Sequence, residues 1–416
     1  MFVKNTFTHD ARVLREAITL IELGFEVHVV CLQGLNLPTE EVLPSGVKIH
    51  RVKSGPFQKT RKLAEPSSNF EELSATQITR IRTRFIKFLR FASRTYVYEI
   101  FQRYIDANLT KKALELNPDI LHAHDFDTLT AAVKTSKLLG IPLIYDSHEL
   151  APGRNLASNS RNKKIFKQEK VLIKSADRVI MASEGYARFA KQHYGLAKST
   201  VLLNVPNYIK DFKEELDIRK LLGIKQDNFL LVYQGNIQPN RGIEQAIESL
   251  IELEDVSLVI IGYGDFKNHL IDLVKRNGLD QRVYFYGPVP PEHLIHIAHF
   301  ADAGLCNIVG TSESYKLSMP NKLFEYAMSE IPIIVSDYEG MGGFVSDHKI
   351  GLVCDPLDPT SIAAAISEIR NNKSLAKTFK DYCRSVKEIY CWEIEKQKLV
   401  DLYSQITLNL PRQNSP

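Results

Sequence analysis

The sequence predicts an α/β protein built from two doubly wound, parallel-sheet (Rossmann-like) domains. Three observations carry that prediction. Short apolar runs alternate with amphipathic stretches along most of the chain. The runs are apolar throughout, as strands covered by helices on both faces are. The series occurs twice, with loop chemistry between the two at Asn204-Val205-Pro206-Asn207. At 416 residues the chain also exceeds the roughly 100–200 of a single domain.

The elements follow in order. Residues 11–23 place Val13, Leu14, Ala17, Leu20 and Ile21 at helical spacing, and Gly24 ends that helix. Residues 25–32 (FEVHVVCL) read as a buried strand. Helix, turn and strand recur over 109–125, 128–149 and 170–183. In the second series the strands are 228–236, 257–265, 283–287, 303–308, 332–337 and 351–355. Helices interleave them at 241–253, 267–279, 293–301, 322–330 and 360–370. The expected domains are 1–207 and 208–385, followed by a final segment over 386–410. Only MFVKNTF precedes the first helix. A doubly wound domain opens with a strand of about five or six residues. The opening strand is therefore either very short or begins upstream of Met1, and the second reading is preferred; it leaves a gap near the centre of the first sheet.

Composition narrows the class. The chain is 44% hydrophobic and 25% charged, which excludes wholesale disorder. Lys+Arg 53 against Asp+Glu 49 is too balanced to argue for nucleic acid. Five scattered cysteines without a C-x-x-C argue against a disulfide scaffold or a structural zinc site and suit the cytoplasm. No run approaches the roughly 20 apolar residues of a membrane span. Residues 78–105 stand apart. Arg80, Arg82, Arg84, Lys87, Arg90, Arg94 and Arg103 face only Glu99 in charge up to residue 103, while Ile81, Phe85, Phe88, Leu89, Ala92 and Tyr96 share a helical face. Residues 80–101 read either as a peripheral helix on an anionic membrane surface or as a helix docked on its own sheet.

Ligands of open parallel sheets lie beyond the carboxyl ends of the strands. Five loops there carry chemistry. His122, His124 and Asp125 follow one strand, with the two imidazoles on one side; they suit sugar hydroxyls or proton transfer, or simply close the strand. Asp146-Ser147-His148-Glu149 either lines a substrate or caps a loop. Gly235-Asn236-Ile237-Gln238-Pro239-Asn240-Arg241-Gly242 leads into a helix whose amides, with Arg241, can hold phosphate. Gly262 and Gly264 allow backbone to come close to a ligand, without the spacing of a nicotinamide fingerprint. Ser318-Met319-Pro320-Asn321-Lys322 opens a helix with donors and a positive charge for anionic oxygen, and Glu325 one turn on could bind ribose hydroxyls. Phosphate chemistry thus gathers in the second half and sugar-like polar groups in the first. A nucleotide sugar bridging a cleft fits that division.

In this order, THDARVLREA, DILHAHDFDTL, YDSHE, GNIQPNRGIEQAI, IIGYGD and SMPNKLFEYAMSEIPIIVSD resemble glycosyltransferase family 4 over about residues 5–405. The resemblance is to the branch with an S-x-P-N-K-x-F-E-Y pattern. It implies the GT-B fold, with two domains facing across a cleft, and a retaining transfer from a nucleotide-diphosphate sugar to a hydroxyl of a lipid-linked or polysaccharide acceptor, as in lipopolysaccharide assembly. By it, His124 contacts the transferred sugar, and Arg241 and Lys322 hold the diphosphate. Glu325 binds the ribose, and Gly262 and Gly264 lie near the nucleotide. Gly235, Asn236, Ser318 and Asn321 line the donor. His122, Asp125, His148 and Glu149 are the acceptor-side candidates. No metal is implied. The final helix, within 386–410, crosses back to the first domain. Two positions depart from the pattern: Leu317 stands where the first acid of the E-x7-E motif falls, and Asn236 where a second basic residue for the diphosphate falls. A non-catalytic nucleotide-binding subunit and, more distantly, a sugar-nucleotide epimerase are the alternatives.

Overall fold

The computed structural model describes residues 1–8, 10–55, 99–153 and 159–408. Most of the basic segment 80–101 lies outside the described residues. The chain divides into two units. The first is Met1–Asp10, Leu20–Tyr145 and Ser175–Asp177; the second is Ala11–Thr19, Asp146–Lys174 and Arg178–Pro416.

In the first unit β1 (His28–Leu32) pairs in parallel with β3 (Lys48–Val52), and β2 (Glu40–Val42) runs antiparallel along β3. The opening residues lie on the other side of β1. Phe2 bridges in parallel to both Val30 and Ala123, which places Met1–Val3 between β1 and β4 (Leu121–His124). The amide of Phe2 donates to the His122 carbonyl at 2.8 Å, and that of Val3 to Val30 at 3.1 Å. The gap expected at this position is therefore filled by a very short strand. β4 leads to β5 (Leu143–Ser147), with the Leu121 amide on the Pro142 carbonyl at 3.0 Å. Val29, Val30, Leu121, Ala123, Leu143 and Ile144 are all buried, as strands covered on both faces must be. Helix α2 covers 99–116, and α3 (Phe126–Leu139) ends on Gly140 in the left-handed conformation. Helix α1 (Ala11–Glu22) is shared by the two units.

The second unit holds a six-stranded sheet. Its strands are β8 (Phe229–Gln234), β9 (Val256–Ile261), β10 (Val283–Gly287), β11 (Ala303–Cys306), β12 (Ile333–Ser336) and β13 (Gly351–Cys354). All pairings are parallel, in the order β10-β9-β8-β11-β12-β13. Counted from β8 this is the 3-2-1-4-5-6 order of dinucleotide-binding folds, so the direction of winding reverses between β8 and β11. Every residue of β8 and β9 is buried. Helices α7 (Ile243–Ser249), α8 (Lys267–Arg276) and α13 (Pro359–Asn371) supply Ile247, Leu270 and Ile366 to the same core.

The same unit contains a parallel pair, β6 (Arg178–Met181) and β7 (Thr200–Val201), and the last helix, α15 (Trp392–Thr407). The Trp392 indole donates to the Thr19 hydroxyl at 3.1 Å, and Glu395 accepts the Leu203 amide at 2.7 Å. These two bonds tie α15 to α1 and to the strand end after β7. All five cysteines are buried and unpaired. Among the described residues no helix is long and apolar enough to cross a membrane.

Candidate active site

The reversal between β8 and β11 collects most of the residues read as donor-binding. β8 ends in Gly235, which has φ 129°. A Cβ there would lie 3.7 Å from Nζ of Lys322, so Lys322 closes over the strand exit. Its ammonium sits 4.0 Å from the centre of the Tyr233 ring, and the Tyr233 hydroxyl donates to the Asn236 carbonyl at 2.9 Å. Helix α11 (Asn321–Met328) thus presents Lys322 from its first turn. Its N-terminus has no side-chain cap, which leaves amides for an anionic group.

The loop after β8 is held by backbone geometry. Asn240 and Gly242 are left-handed, at φ 64° and 71°. A Cβ on Gly242 would fall 1.8 Å from the Asn307 carbonyl, and the Asn307 side chain donates to the Gly242 carbonyl at 2.6 Å. This close approach fixes Arg241, whose guanidinium lies 5.4 Å from the Tyr315 ring centre. Nε of Arg241 is buried and has no hydrogen-bond partner among the described residues. Gly262 and Gly264 serve the same loop. A Cβ on either would fall 1.9 Å from the Gly235 carbonyl and 2.0 Å from the Ile237 carbonyl respectively. The close approach expected at these glycines is thus made by the protein's own backbone.

Glu325 lies one turn into α11 and accepts a hydrogen bond from the Gln234 side-chain amide. Burial raises its pKa, while Gln234, Arg15 and Lys322 pull it down. The Cys306 thiol lies at the end of β11. Burial pushes it up to about 11, the charges of Lys322 and Arg241 oppose that, and Glu325 adds to it. Lys322 and Glu325 thus lie at the exit of β8, Arg241 sits on the loop that follows it, and Asn321 is exposed at the helix start. Ser318 donates its hydroxyl to the Tyr315 carbonyl at 2.8 Å, so that proton is already committed. Tyr326, the last residue of the S-x-P-N-K-x-F-E-Y pattern, was not among the candidate residues and proves central. It is fully buried, its hydroxyl accepts the Gln234 amide at 3.1 Å, and a Cβ on Gly304 would strike its ring at 2.4 Å.

Leu317 is the C-cap of the short helix α10 (Glu313–Lys316). Its carbonyl accepts the Ser183 hydroxyl at 2.8 Å, and a Cβ on Gly185 would lie 2.9 Å from its own Cβ. The position is taken up by packing and a backbone hydrogen bond.

The sugar-type residues lie elsewhere. In the first unit His122 and His124 are both buried on one side of β4, with ring centres 4.2 Å apart. The His124 carbonyl accepts the Thr128 hydroxyl at 2.8 Å. Asp125 takes φ 64° just before α3, and Asp127, two residues on, pairs with Lys4 at 3.3 Å. In the second unit His148 meets Asp146 at 3.0 Å. Asp146 is fully buried and receives a two-pronged grip from Arg12, at 3.0 and 2.8 Å. Arg12 also reaches Glu16 at 3.1 Å. Burial, with the Asp146 charge next, pushes the Glu16 carboxyl up to about 8. Glu149 follows, its carbonyl holding the Ser147 hydroxyl at 2.9 Å. Arg12 and Glu16, one turn apart on α1, lie within the THDARVLREA segment but were not among the candidate residues; two charged residues inside a helix with an apolar face were the available signal.

Two Rossmann-like sheets of this kind define the GT-B fold. A solved structure of HepE from Anabaena with UDP and glucose superposes with a TM-score of 0.72 at 15% identity, over 97% of this chain and 98% of that one. The family description "Glycosyltransferase Family 4" matches residues 11–205, and "Glycosyl transferases group 1" matches residues 214–386. The chain belongs to the GT-B glycosyltransferases of family 4 and group 1. Curated relatives include glycogen synthase of Mycobacterium tuberculosis, 24% identical over 62% of each chain. Another is the putative teichuronic acid biosynthesis glycosyltransferase TuaC of Bacillus subtilis, 26% identical over 64% of each. The matches with these two relatives cover less than two thirds of their length.

Proposed function

We propose that the protein transfers a sugar from a nucleotide-diphosphate donor to a hydroxyl of a lipid-linked or polysaccharide acceptor, with retention at the anomeric carbon. The observation that carries this reading is that Lys322 and Glu325 lie at the exit of β8, with Arg241 on the loop that follows, at the reversal between β8 and β11. Two cations beside an uncapped helix start suit a diphosphate, and a carboxylate one turn in suits a ribose diol. Relatives named for glycogen and teichuronic acid synthesis support a glycan acceptor.

In the transfer, positive charge grows on the anomeric carbon as the diphosphate departs. Arg241, Lys322 and the start of α11 stabilise the departing oxygens. The acceptor hydroxyl attacks from the same face, and its proton passes to the leaving phosphate. His124 orients the transferred sugar. With Arg241 and Lys322 supplying the charge, the reaction needs no metal, and chelation leaves the rate unchanged. The protein works in the cytoplasm, with 80–101 as its contact with an anionic membrane.

Arg241→Ala and Lys322→Ala each lower kcat by about 10²–10³, and the product keeps the donor's anomeric configuration by NMR. Unchanged turnover in both variants, or an inverted product, refutes the proposal.

A further inference from the structure

We propose that Gln234 is a positioning residue that selects for ribose: its side-chain amide holds the Glu325 carboxylate in the one orientation that grips a vicinal diol. The inference rests on the donor site proposed above and goes beyond it in assigning Gln234.

Gln234 is the last residue of β8, 2% exposed, at the point where the sheet reverses. Its backbone amide donates to the Tyr326 hydroxyl at 3.1 Å. Tyr326 also donates to the carbonyls of Val232 at 3.2 Å and Leu305 at 3.3 Å, so the residue is anchored to both strands that flank the reversal. Among the described residues its side chain then makes a single bond, Nε2 to Oε2 of Glu325. The other end of the amide, Oε1, is buried and has no hydrogen-bond partner among the described residues.

That imbalance is informative. A residue present only to fill space at the end of a buried strand would be apolar, since a buried acceptor without a partner is unfavourable. The bond to Glu325 accounts for the amide. It also sets which way the amide lies, because the flipped orientation would bring Oε1 against a carboxylate oxygen. A glutamate on the first turns of a helix otherwise has three rotatable bonds. Pinning Oε2 from below leaves Oε1 of Glu325 and the remaining lone pairs for two adjacent hydroxyls. A sugar lacking one of those hydroxyls leaves a carboxylate lone pair unmatched in a partly desolvated place, which is how a polar site rejects a deoxy analogue.

The test measures binding of UDP and 2′-deoxy-UDP by calorimetry to the full chain and to Gln234→Met, Glu325→Ala and the double variant. Guanosine or adenosine pairs replace uridine if they bind the unaltered protein more tightly. The unaltered chain prefers the ribonucleotide about tenfold or more. Gln234→Met removes most of that preference and adds nothing once Glu325 is alanine. Gln234→Asn, which keeps the amide, replaces it should the methionine variant fail to fold, and gives an intermediate preference. Loss of preference in Glu325→Ala with full preference kept in Gln234→Met overturns this inference alone. Unchanged nucleotide affinity in Glu325→Ala overturns the donor-site reading, and this inference with it.

Discussion

Glu16→Gln tests whether a neutral glutamic acid is built into α1. Glu16 is fully buried beside Asp146, and both meet Arg12. One guanidinium neutralises one carboxylate, and the second acid keeps its proton. Burial, then the Asp146 charge, raises Glu16 from 4.5 to about 8. The folded chain therefore binds more protons than the unfolded one between these values, and its stability falls as pH rises through that window. At 1.36 kcal/mol per pH unit the loss is roughly 5 kcal/mol at most, shared by the pair as a whole. Glutamine has the shape of the protonated acid and can donate to Asp146 in the same way, but it cannot ionise. Unfolding in urea is followed by circular dichroism at intervals from pH 4.5 to 8.5. The two proteins are expected to unfold together at the acid end. The variant becomes the more stable by several kcal/mol at the alkaline end. Parallel profiles across the range would falsify the neutral-acid assignment, because every other titrating group is common to both proteins.

Two further outcomes follow from single features. Gly304→Ala drives a Cβ to 2.4 Å from the Tyr326 ring, which is locked between β8 and β11. It should cost about 1–3 kcal/mol and weaken nucleotide binding through Glu325; an unchanged urea midpoint would show that the ring can move aside. Replacing Arg80, Arg82, Arg84 and Lys87 together by glutamine should weaken sedimentation with anionic vesicles and leave neutral vesicles unaffected, about 1 kcal/mol being lost for each charge that reaches the surface. Equal sedimentation on anionic vesicles removes 80–101 as a membrane contact.

Much of the fold was legible because strand and helix in a doubly wound protein are local patterns. Residues 229–234 and 256–261 are apolar except for Gln234 and Ser257, and the structure buries all of them. Gly140 and Gly223 end their helices in the left-handed conformation that glycine permits. Where the pattern is too short to register, the sequence leaves the element open. Phe2 and Val3 offer two apolar residues, yet the bonds to Val30 and Ala123 make them a central strand. A strand held on both sides needs little length of its own. Helix α15 was legible as the last element, and its anchors, Thr19 and Leu203, lie far off in sequence.

By itself the sequence determined the two series of strands and helices, the loops at their carboxyl ends and the candidates Arg241, Lys322 and Glu325. Those depend on residue type and on spacing within some thirty residues. Only the tertiary structure decided the order of the strands, and with it which loops meet. It set Gly262 and Gly264 against the Gly235–Ile237 backbone rather than leaving them open. It turned Gln234 toward Glu325 across 91 residues and Arg12 toward Asp146 across 134. Such pairings arise because burial in a close-packed interior forces each polar group to find a partner wherever the packing brings one. No local pattern carries that information.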